Sequence, residues 1–518
     1  MTALPATFKK RLFVILLGLG LFALVLAFPL PQGMSAEAQR MLAVVLLMGV
    51  WWIGEGVPVT VTAFLPLVLF PLLGIMSSKE VAPNYTNHLV FLFLGGLMMA
   101  QAMEKWNFHK RIALRIIAAV GAGPRRIVLG FMAATAFLSM WISNTATTMM
   151  MLPVAMAVVR QVASAAVLNG ERNWQTEQQV RQSFGLVLML AVAYSASIGG
   201  VGTLIGTPPN IVLVGFYKKL FPDAGEIGFL QWMLMAIPVV ILFLPMVWWY
   251  LCRVVSPIPL AGMEFAGQAS DAVHHELRAL GAMSRAEKYI AVVFFSAAVL
   301  WIFRKPVSLG AVTFPGWSGW LPYPHMVHDA TVAMAMGLLL FILPLDFRAG
   351  VLLNGKREFF VLDWKTIQQG TPWGILFLFG GGFALAAGFT GSGLDQWIGL
   401  RLAAIAGLPQ WLVIFLVCLA ITFLTELTSN TATTTMILPI LAAAAVAAQI
   451  HPLMLMAPAA LAASFAFMLP VATPPNAIVF GSGWVTIPEM SRAGLALNFI
   501  GAALITVLAS FLIRGLFL

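Results

Sequence analysis

The chain has 518 residues, 61% of them hydrophobic and only 9% charged, with a formal net charge of +10 and a mean hydropathy of +0.94. So little charge cannot cover the surface of a water-soluble enzyme of this length, so an integral membrane protein is predicted. The basic residues sit in short clusters between apolar runs, a membrane-topology pattern that points away from nucleic acid.

In chain order, FKKRLFVILLGLGLFALVLAFPL comes first. Its apolar run is long for a signal peptide, and the nearest small-residue cleavage candidate, Ala36-Glu37-Ala38, is distant. It reads as an uncleaved span with Lys9, Lys10 and Arg11 in the cytoplasm, within an N-terminal segment 1–40. A first half, 41–252, then carries spans near 41–56, 58–75 and 88–104 and a basic surface helix around 107–120. A hairpin at 127–158, a span broken at its middle (183–216) and another span at 229–252 complete that half. Residues 253–288, with His274 and His275, read as a polar cytoplasmic linker. The second half, 289–518, gives spans near 288–303, 329–345 and 372–390 and a surface helix at 393–407. A hairpin at 410–446, a broken span at 457–486 and a final span at 492–514 follow. Cys252 and Cys418 lie in or beside apolar runs and offer neither a disulfide framework nor zinc spacing.

The two halves repeat. SNTATTMMMLP at Ser143 to Pro153 meets SNTATTTMILP at Ser429 to Pro439, identical at nine of eleven positions and 286 residues apart (429 − 143). FLFLGG at Phe91 and FLFGGG at Phe377 keep the same offset, and GTPPN (Gly206 to Asn210) meets ATPPN (Ala472 to Asn476) at 266 (472 − 206). A longer polar connection around Asn169 to Arg181 accounts for the difference. Between Lys105 and Arg126 the first copy has six basic residues, whereas 391–412 has one, Arg401. Opposite charge bias implies opposite facing, hence an inverted repeat, a plan of secondary transporters with the site at the repeat interface.

The SNT tripeptides supply neutral oxygens and N–H or O–H donors without burying charge. At a hairpin tip they sit where helix ends leave backbone groups unpaired, which lipid does not tolerate, so the tips must face protein or a wet cavity. Oxygens there suit a hard cation such as Na⁺, and helix N-termini suit a carboxylate. The bland alternative, hydroxyls bonding back to their own helices, is common in membranes; its occurrence twice in matched surroundings favours function. The paired TPPN segments remove backbone donors and break a helix, exposing carbonyls and a fresh N-terminus. Glu55 and Glu426 are the notable intramembrane carboxylates. Glu426 lies three residues before Ser429, where it can tune a cation site, accept a proton, or simply cap locally; these readings stay open. Met149–Met151, Trp51, Trp52 and FPGWSGWLPYPH read as packing and interfacial belt, and His325 and His328 lack metal-ligand spacing. No GxxxxGK[ST] loop for an ATP motor is present. A serine nucleophile in the hairpins would have no His or Lys beside it, which disfavours an intramembrane hydrolase.

Paired SNT motifs, each followed by a TPPN-like break, together with GEGVPVTVTAFLP from Gly54, resemble the divalent-anion:sodium symporter (DASS) family from about Trp51 to the C-terminus. That resemblance implies an all-α protein of about eleven spans plus two re-entrant hairpins. It also implies a homodimer in the plasma or inner membrane whose transport domain moves as an elevator. It implies Na⁺-coupled uptake of a small dicarboxylate such as succinate, malate or fumarate, with two or more Na⁺ and no organic cofactor. Alternatives on the same fold are a Na⁺-independent dicarboxylate or citrate exchanger, a sulfate carrier, or a channel-like anion or metalloid pathway. One Na⁺ site would use Ser139, Ser143, Asn144 and the carbonyl of Gly206. The other would use Thr425, Thr428, Asn430 and the carbonyl of Ala472. Asn144, Thr145, Asn430 and Thr431 would meet the carboxylates, with Thr207, Pro208, Thr473 and Pro474 closing the pocket. The offset pairs Ser139 with Thr425 and Asn144 with Asn430, while Thr428 meets Ile142, so Thr428 would contribute mainly its carbonyl.

Overall fold

A computed structural model describes residues 6–121, 123–168, 180–256, 265–309, 312–346, 350–353, 355–402 and 407–517. Helices dominate because an apolar solvent leaves every backbone N–H and C=O to be satisfied within the chain. Among the described residues, nine helices are long and apolar enough to cross a membrane, and four shorter apolar ones accompany them.

Helix α1 (Ala6–Ala27) packs on α2 (Ala36–Gly54), whose first turn is capped by Ser35 accepting from the Ala38 amide at 3.0 Å. The span expected at 58–75 is two pieces, α3 (Val59–Thr62) and α4 (Leu65–Leu72). Helix α5 (Ser78–Val81) leads through a 3₁₀ turn into α6 (His88–Lys105), capped by Asn87. Glu55 ends α2 in the left-handed conformation, φ 51°, and is exposed rather than packed inside the protein.

The amphipathic α7 (Phe108–Val120) precedes the first hairpin, α8 (Pro124–Ser139) and α9 (Asn144–Leu168), joined by 140–143. The long connection expected at Asn169 to Arg181 falls largely outside the described residues. Helix α10 (Leu186–Gly200) ends at a break, 201–207, before α11 (Pro208–Leu220) and α12 (Phe229–Tyr250). The linker is not wholly irregular, since α13 (Phe265–Ala279) packs against α7 and α9.

The second half runs α14 (Arg285–Ile302), α15 (Asp329–Ile342), α16 (Trp364–Gly370), α17 (Trp373–Ser392) and α18 (Leu394–Leu402). Its hairpin is α19 (Gln410–Thr425) and α20 (Asn430–Ala447), joined by 426–429. A second broken span, α21 (Leu453–Ala462) and α22 (Pro474–Phe480), precedes α23 (Ile487–Phe517). The expectation of an all-α chain needs one amendment. Short antiparallel ribbons pair Val307–Leu309 with Val312–Phe314 and Val351–Leu353 with Lys356–Glu358.

Two packings position the site. Gly95, from the first FLF–GG motif, lets α6 ride against α15, where a Cβ would lie 2.5 Å from the Ala333 carbonyl carbon. Gly199 does the same for α10 on α8, where a Cβ would collide with the Ala136 backbone. These close approaches are the small-residue packing on which membrane helices depend. The framework formed by α6, α7, α14 and α15 is held on one face by buried charge. Arg111 Nε lies 2.6 Å from Glu287 Oε1, both side chains 5% exposed, and the guanidinium also donates to the Gly281 carbonyl at 2.8 Å. Lys105 pairs with Glu358 at 2.8 Å and Asp363 at 2.6 Å, tying α6 to a ribbon and to α16.

Candidate functional site

The candidate site begins with four helix ends, at the hairpin joints 140–143 and 426–429 and at the two breaks. In the first half, Ser143 starts α9 by accepting from the Ala146 amide at 3.2 Å, as an N-cap serine does. The buried Ser139 hydroxyl, at the end of α8, lies 2.6 Å from Asn144 Oδ1 and 2.7 Å from the Ala196 carbonyl of α10. One hydroxyl proton faces two acceptors, so an oxygen lone pair is left over.

The same arrangement recurs in the second half. The Thr425 hydroxyl lies 2.7 Å from Asn430 Oδ1 and 3.0 Å from the Ala463 carbonyl. Again there is one proton for two acceptors. An excess of neutral oxygen, in matched positions of two halves, is the donor set a hard monovalent cation fills. Gly206 adds to the first cluster: a Cβ there would collide with the Gly200 carbonyl oxygen and sit 3.0 Å from the Ser139 and Met140 carbonyl oxygens. Three backbone oxygens therefore converge on a space that glycine leaves open. Ala472, its partner, is buried in the second break.

The remaining expected residues fall on the same four ends. Thr145 and Thr431 lie in the first turns of α9 and α20; Thr145 is half-buried and Thr431 buried. Thr207 and Thr473 are extended N-caps of α11 and α22, and the Thr473 hydroxyl accepts from the Asn476 amide at 3.3 Å. Pro208 and Pro474 occupy the first helical positions, where the missing N–H costs nothing. The Thr428 hydroxyl turns inward to Leu424 O at 2.9 Å and to the Thr433 hydroxyl at 2.5 Å. The first half has Ile142 there, so the partner of Thr433, Thr147, is buried without a hydrogen bond.

The halves interlock crosswise. Helix α9 packs against α22, and α11 packs against α20, so each hairpin meets the break helix of the other half. Tyr194 on α10 reinforces this by donating to the Phe467 carbonyl of the second break at 2.9 Å.

Two residues that organise these helix ends, Asn210 and Asn476, were not singled out from sequence. Asn210 donates its amide to the Thr203 and Gly200 carbonyls at 2.6 and 3.2 Å. Asn476 donates to Leu469 and Ala466 at 3.0 and 3.1 Å. These partners match at the 266-residue offset, so the asparagine of each TPPN gathers carbonyls its own break has freed. Glu426 takes the capping reading of the three left open. Its carboxylate accepts from the Phe467, Met468 and Leu469 amides at 2.8, 2.9 and 3.0 Å and from Asn498 Nδ2 at 2.8 Å. Successive amides around one anion form a nest. The first half has Met140 in that place (426 − 286) and two glycines in its break, Gly202 and Gly206. Among the described residues no group of three or more His, Cys, Asp or Glu is placed to hold a metal ion.

Comparison with known proteins identifies the family and the fold. Residues 9–518 match the family model described as the sodium:sulfate symporter transmembrane region. A sodium-dependent dicarboxylate transporter, SdcS, of Staphylococcus saprophyticus is 41% identical over 97% of this chain and 91% of its own length. Its namesake from Staphylococcus aureus strain MRSA252 is also 41% identical, over 97% and 91%. Two solved structures share the fold at low identity. MtrF of Neisseria gonorrhoeae, described among antimetabolite efflux pumps, has a TM-score of 0.56 at 12% identity, covering 98% of this chain and 95% of its own. The Alcanivorax borkumensis YdaH transporter has 0.53 at 15%, covering 98% and 99%.

Proposed function

The chain belongs to the sodium:sulfate symporter family, a family of transporters rather than enzymes, and from that premise we propose that it carries small dicarboxylates into the cytoplasm together with Na⁺. The observation that carries this reading is the duplicated oxygen cluster, Ser139–Asn144–Ala196 O and Thr425–Asn430–Ala463 O. The name of the 41% identical relatives supports the same ion and substrate class.

The chemistry follows from the charge balance. Two Na⁺ or more are held by neutral oxygens: Ser139, Ser143, Asn144 and the Gly206 carbonyl on one side, Thr425, Thr428, Asn430 and the Ala472 carbonyl on the other. No Lys or Arg belongs to this set. A dianion is then balanced by the bound cations and by the N-terminal ends of α9, α11 and α20, each worth about half a positive charge. Asn144, Thr145, Asn430 and Thr431 supply hydrogen bonds to the carboxylates, while Thr207, Pro208, Thr473 and Pro474 border the pocket. Without Na⁺ the oxygen-lined tips repel a carboxylate, so substrate binding waits for the ions. The two hairpins and two broken spans move together as an elevator against a framework that includes α6, α14 and α15 and forms a homodimer. The basic N-terminal end, Lys9, Lys10 and Arg11, supports a cytoplasmic N-terminus in a plasma or inner membrane.

The test is labelled succinate uptake into proteoliposomes, comparing an inward Na⁺ gradient with K⁺, with and without internal succinate. Concentrative uptake into empty vesicles under Na⁺ alone is expected. Uptake that requires internal succinate and ignores Na⁺ would make the protein an exchanger and leave the oxygen clusters without ions.

A further inference from the structure

Away from the site, one charged cluster joins elements that the elevator reading separates. Glu226 lies in the connection between α11 and α12. That connection travels with the site, because the Trp232 indole, one turn into α12, donates to the Val201 carbonyl of the first break at 2.9 Å. Helix α12 also packs on α8, α10 and α23.

The groups facing Glu226 belong to the framework. Arg304 and Lys305 follow α14, His328 and Asp329 begin α15, and His88 begins α6. Glu226 Oε1 lies 3.1 Å from the Arg304 guanidinium and 3.5 Å from His328 Nδ1, and Oε2 lies 2.7 Å from Lys305 Nζ. His328 stacks on His88 with ring centroids 4.9 Å apart. Asp329 reaches the other way, accepting from the Phe229 amide at the start of α12 at 2.9 Å.

We propose that Glu226 is an ionic latch that holds the site-bearing elements against the framework in the arrangement seen here and releases when they move. This rests on the elevator reading above. The pattern of exposure is what makes it a latch. Arg304 is buried, but it is already neutralised within the framework: its Nε lies 2.5 Å from Asp329, and it also donates to the Val327 carbonyl at 2.9 Å. When Glu226 departs, no buried cation loses its only partner. Glu226 and Lys305 are 24% and 46% exposed, so water replaces what each gives up. The Arg111–Glu287 pair inside the framework is the opposite case, buried at both ends. Opening that one would strand charge in a dry interior. The ion pairs of Glu226 that cross the moving boundary reach water, and the pair that does not cross it is dry. One buried polar contact also crosses, the Phe229 amide to Asp329, and when it opens Asp329 is still paired with Arg304.

The experiment uses full-length protein in lipid nanodiscs with spin labels at Asp223→Cys, beside the latch, and Trp320→Cys, on the exposed framework turn. Cys252 and Cys418 are buried and stay unlabelled. Distances are measured by pulsed electron resonance in K⁺, in Na⁺, and in Na⁺ with succinate. Two populations are expected, and E226Q should lower the ratio of the shorter to the longer by about two- to fivefold, the range of exposed ion pairs. K305M should act in the same direction and less, because it leaves the Arg304 and His328 contacts of Glu226 in place. High salt should shift wild type the same way and leave E226Q nearly unmoved. Two populations in an unchanged ratio in both variants would overturn the latch and leave the elevator standing. One fixed distance in every condition would overturn both.

Discussion

Replacing Glu426 by glutamine keeps the shape of the side chain and removes its charge, so it isolates what the nest is for. In the native chain Oε1 accepts from Phe467 N, Met468 N and Asn498 Nδ2, and Oε2 from Met468 N and Leu469 N at 3.1 and 3.0 Å. A glutamine that keeps the first set points its NH₂ at two amides, donor against donor. The Met468 amide retains the other oxygen; the Leu469 amide retains nothing. The cost is one lost charge-assisted bond and one unsatisfied buried N–H, about 2–4 kcal/mol. That strain falls on the break leading to Ala472, so it should appear as weaker ion binding. If about half of it is expressed there, 1–2 kcal/mol raises the Na⁺ half-saturation by roughly five- to thirtyfold. The assay is initial-rate succinate uptake against external Na⁺, alongside thermal unfolding in detergent. Both Na⁺ affinity and unfolding temperature should fall together. A stable E426Q carrier with normal Na⁺ dependence but a flattened pH profile would refute the capping role and make Glu426 a proton acceptor.

Three further outcomes follow from the same geometry. Asn144→Ala or Asn430→Ala each removes the oxygen shared with Ser139 or Thr425 and should abolish uptake while the protein still purifies as a folded species; near-normal uptake would remove both from the ion sites. Gly206→Ala drives a methyl into three carbonyl oxygens, and isothermal titration should show at least a tenfold loss of Na⁺ affinity, a penalty of about 1.4 kcal/mol or more, with no comparable loss for an exposed control, Gly225→Ala. For Glu226, burial alone would raise the carboxyl, but the Lys305 hydrogen bond and the charges of Arg304, Lys305 and His328 outweigh it and hold it down at about 2. Its contribution is therefore complete above about pH 4.5 and lost only as pH falls toward 2, so the latch populations measured by electron resonance should not respond to Glu226 titration between pH 5 and 8. A midpoint in that range that persists when His328 and His88 are both replaced by glutamine, and vanishes in E226Q, would show the carboxyl is not held down.

Much of this architecture was legible in the chain because it is written as local pattern. A Ser-Asn-Thr between apolar runs, or a Pro-Pro after glycines, breaks a helix wherever it occurs, and duplication fixed the pairing of the pieces. What escaped depends on where a freed group finds its partner. Asn210 stands in a visible motif, yet its work is on carbonyls seven and ten residues back, curled toward it by the break. Glu426 had three open roles because its partners lie 41 to 72 residues onward. The Arg304–Asp329 pair spans an aromatic loop that composition describes only as an interfacial belt. Glu55 shows the same limit from the other side: it follows an apolar run, yet a left-handed turn at the end of α2 leaves it exposed.

The crosswise packing also has a consequence for how the protein is made. Helix α9 closes against α22, and the first residue of one is 336 positions ahead of the last residue of the other (480 − 144). At roughly 5–20 residues per second of synthesis, the first hairpin waits on the order of 20 to 70 seconds for its counterpart. During that interval its polar tip has neither α22 nor the Tyr194 partner at Phe467, and it sits in a membrane that offers no water to substitute. The nascent first half therefore needs shelter for its unpaired polar tip during insertion, and on this geometry that need lasts until α22 is complete at Phe480.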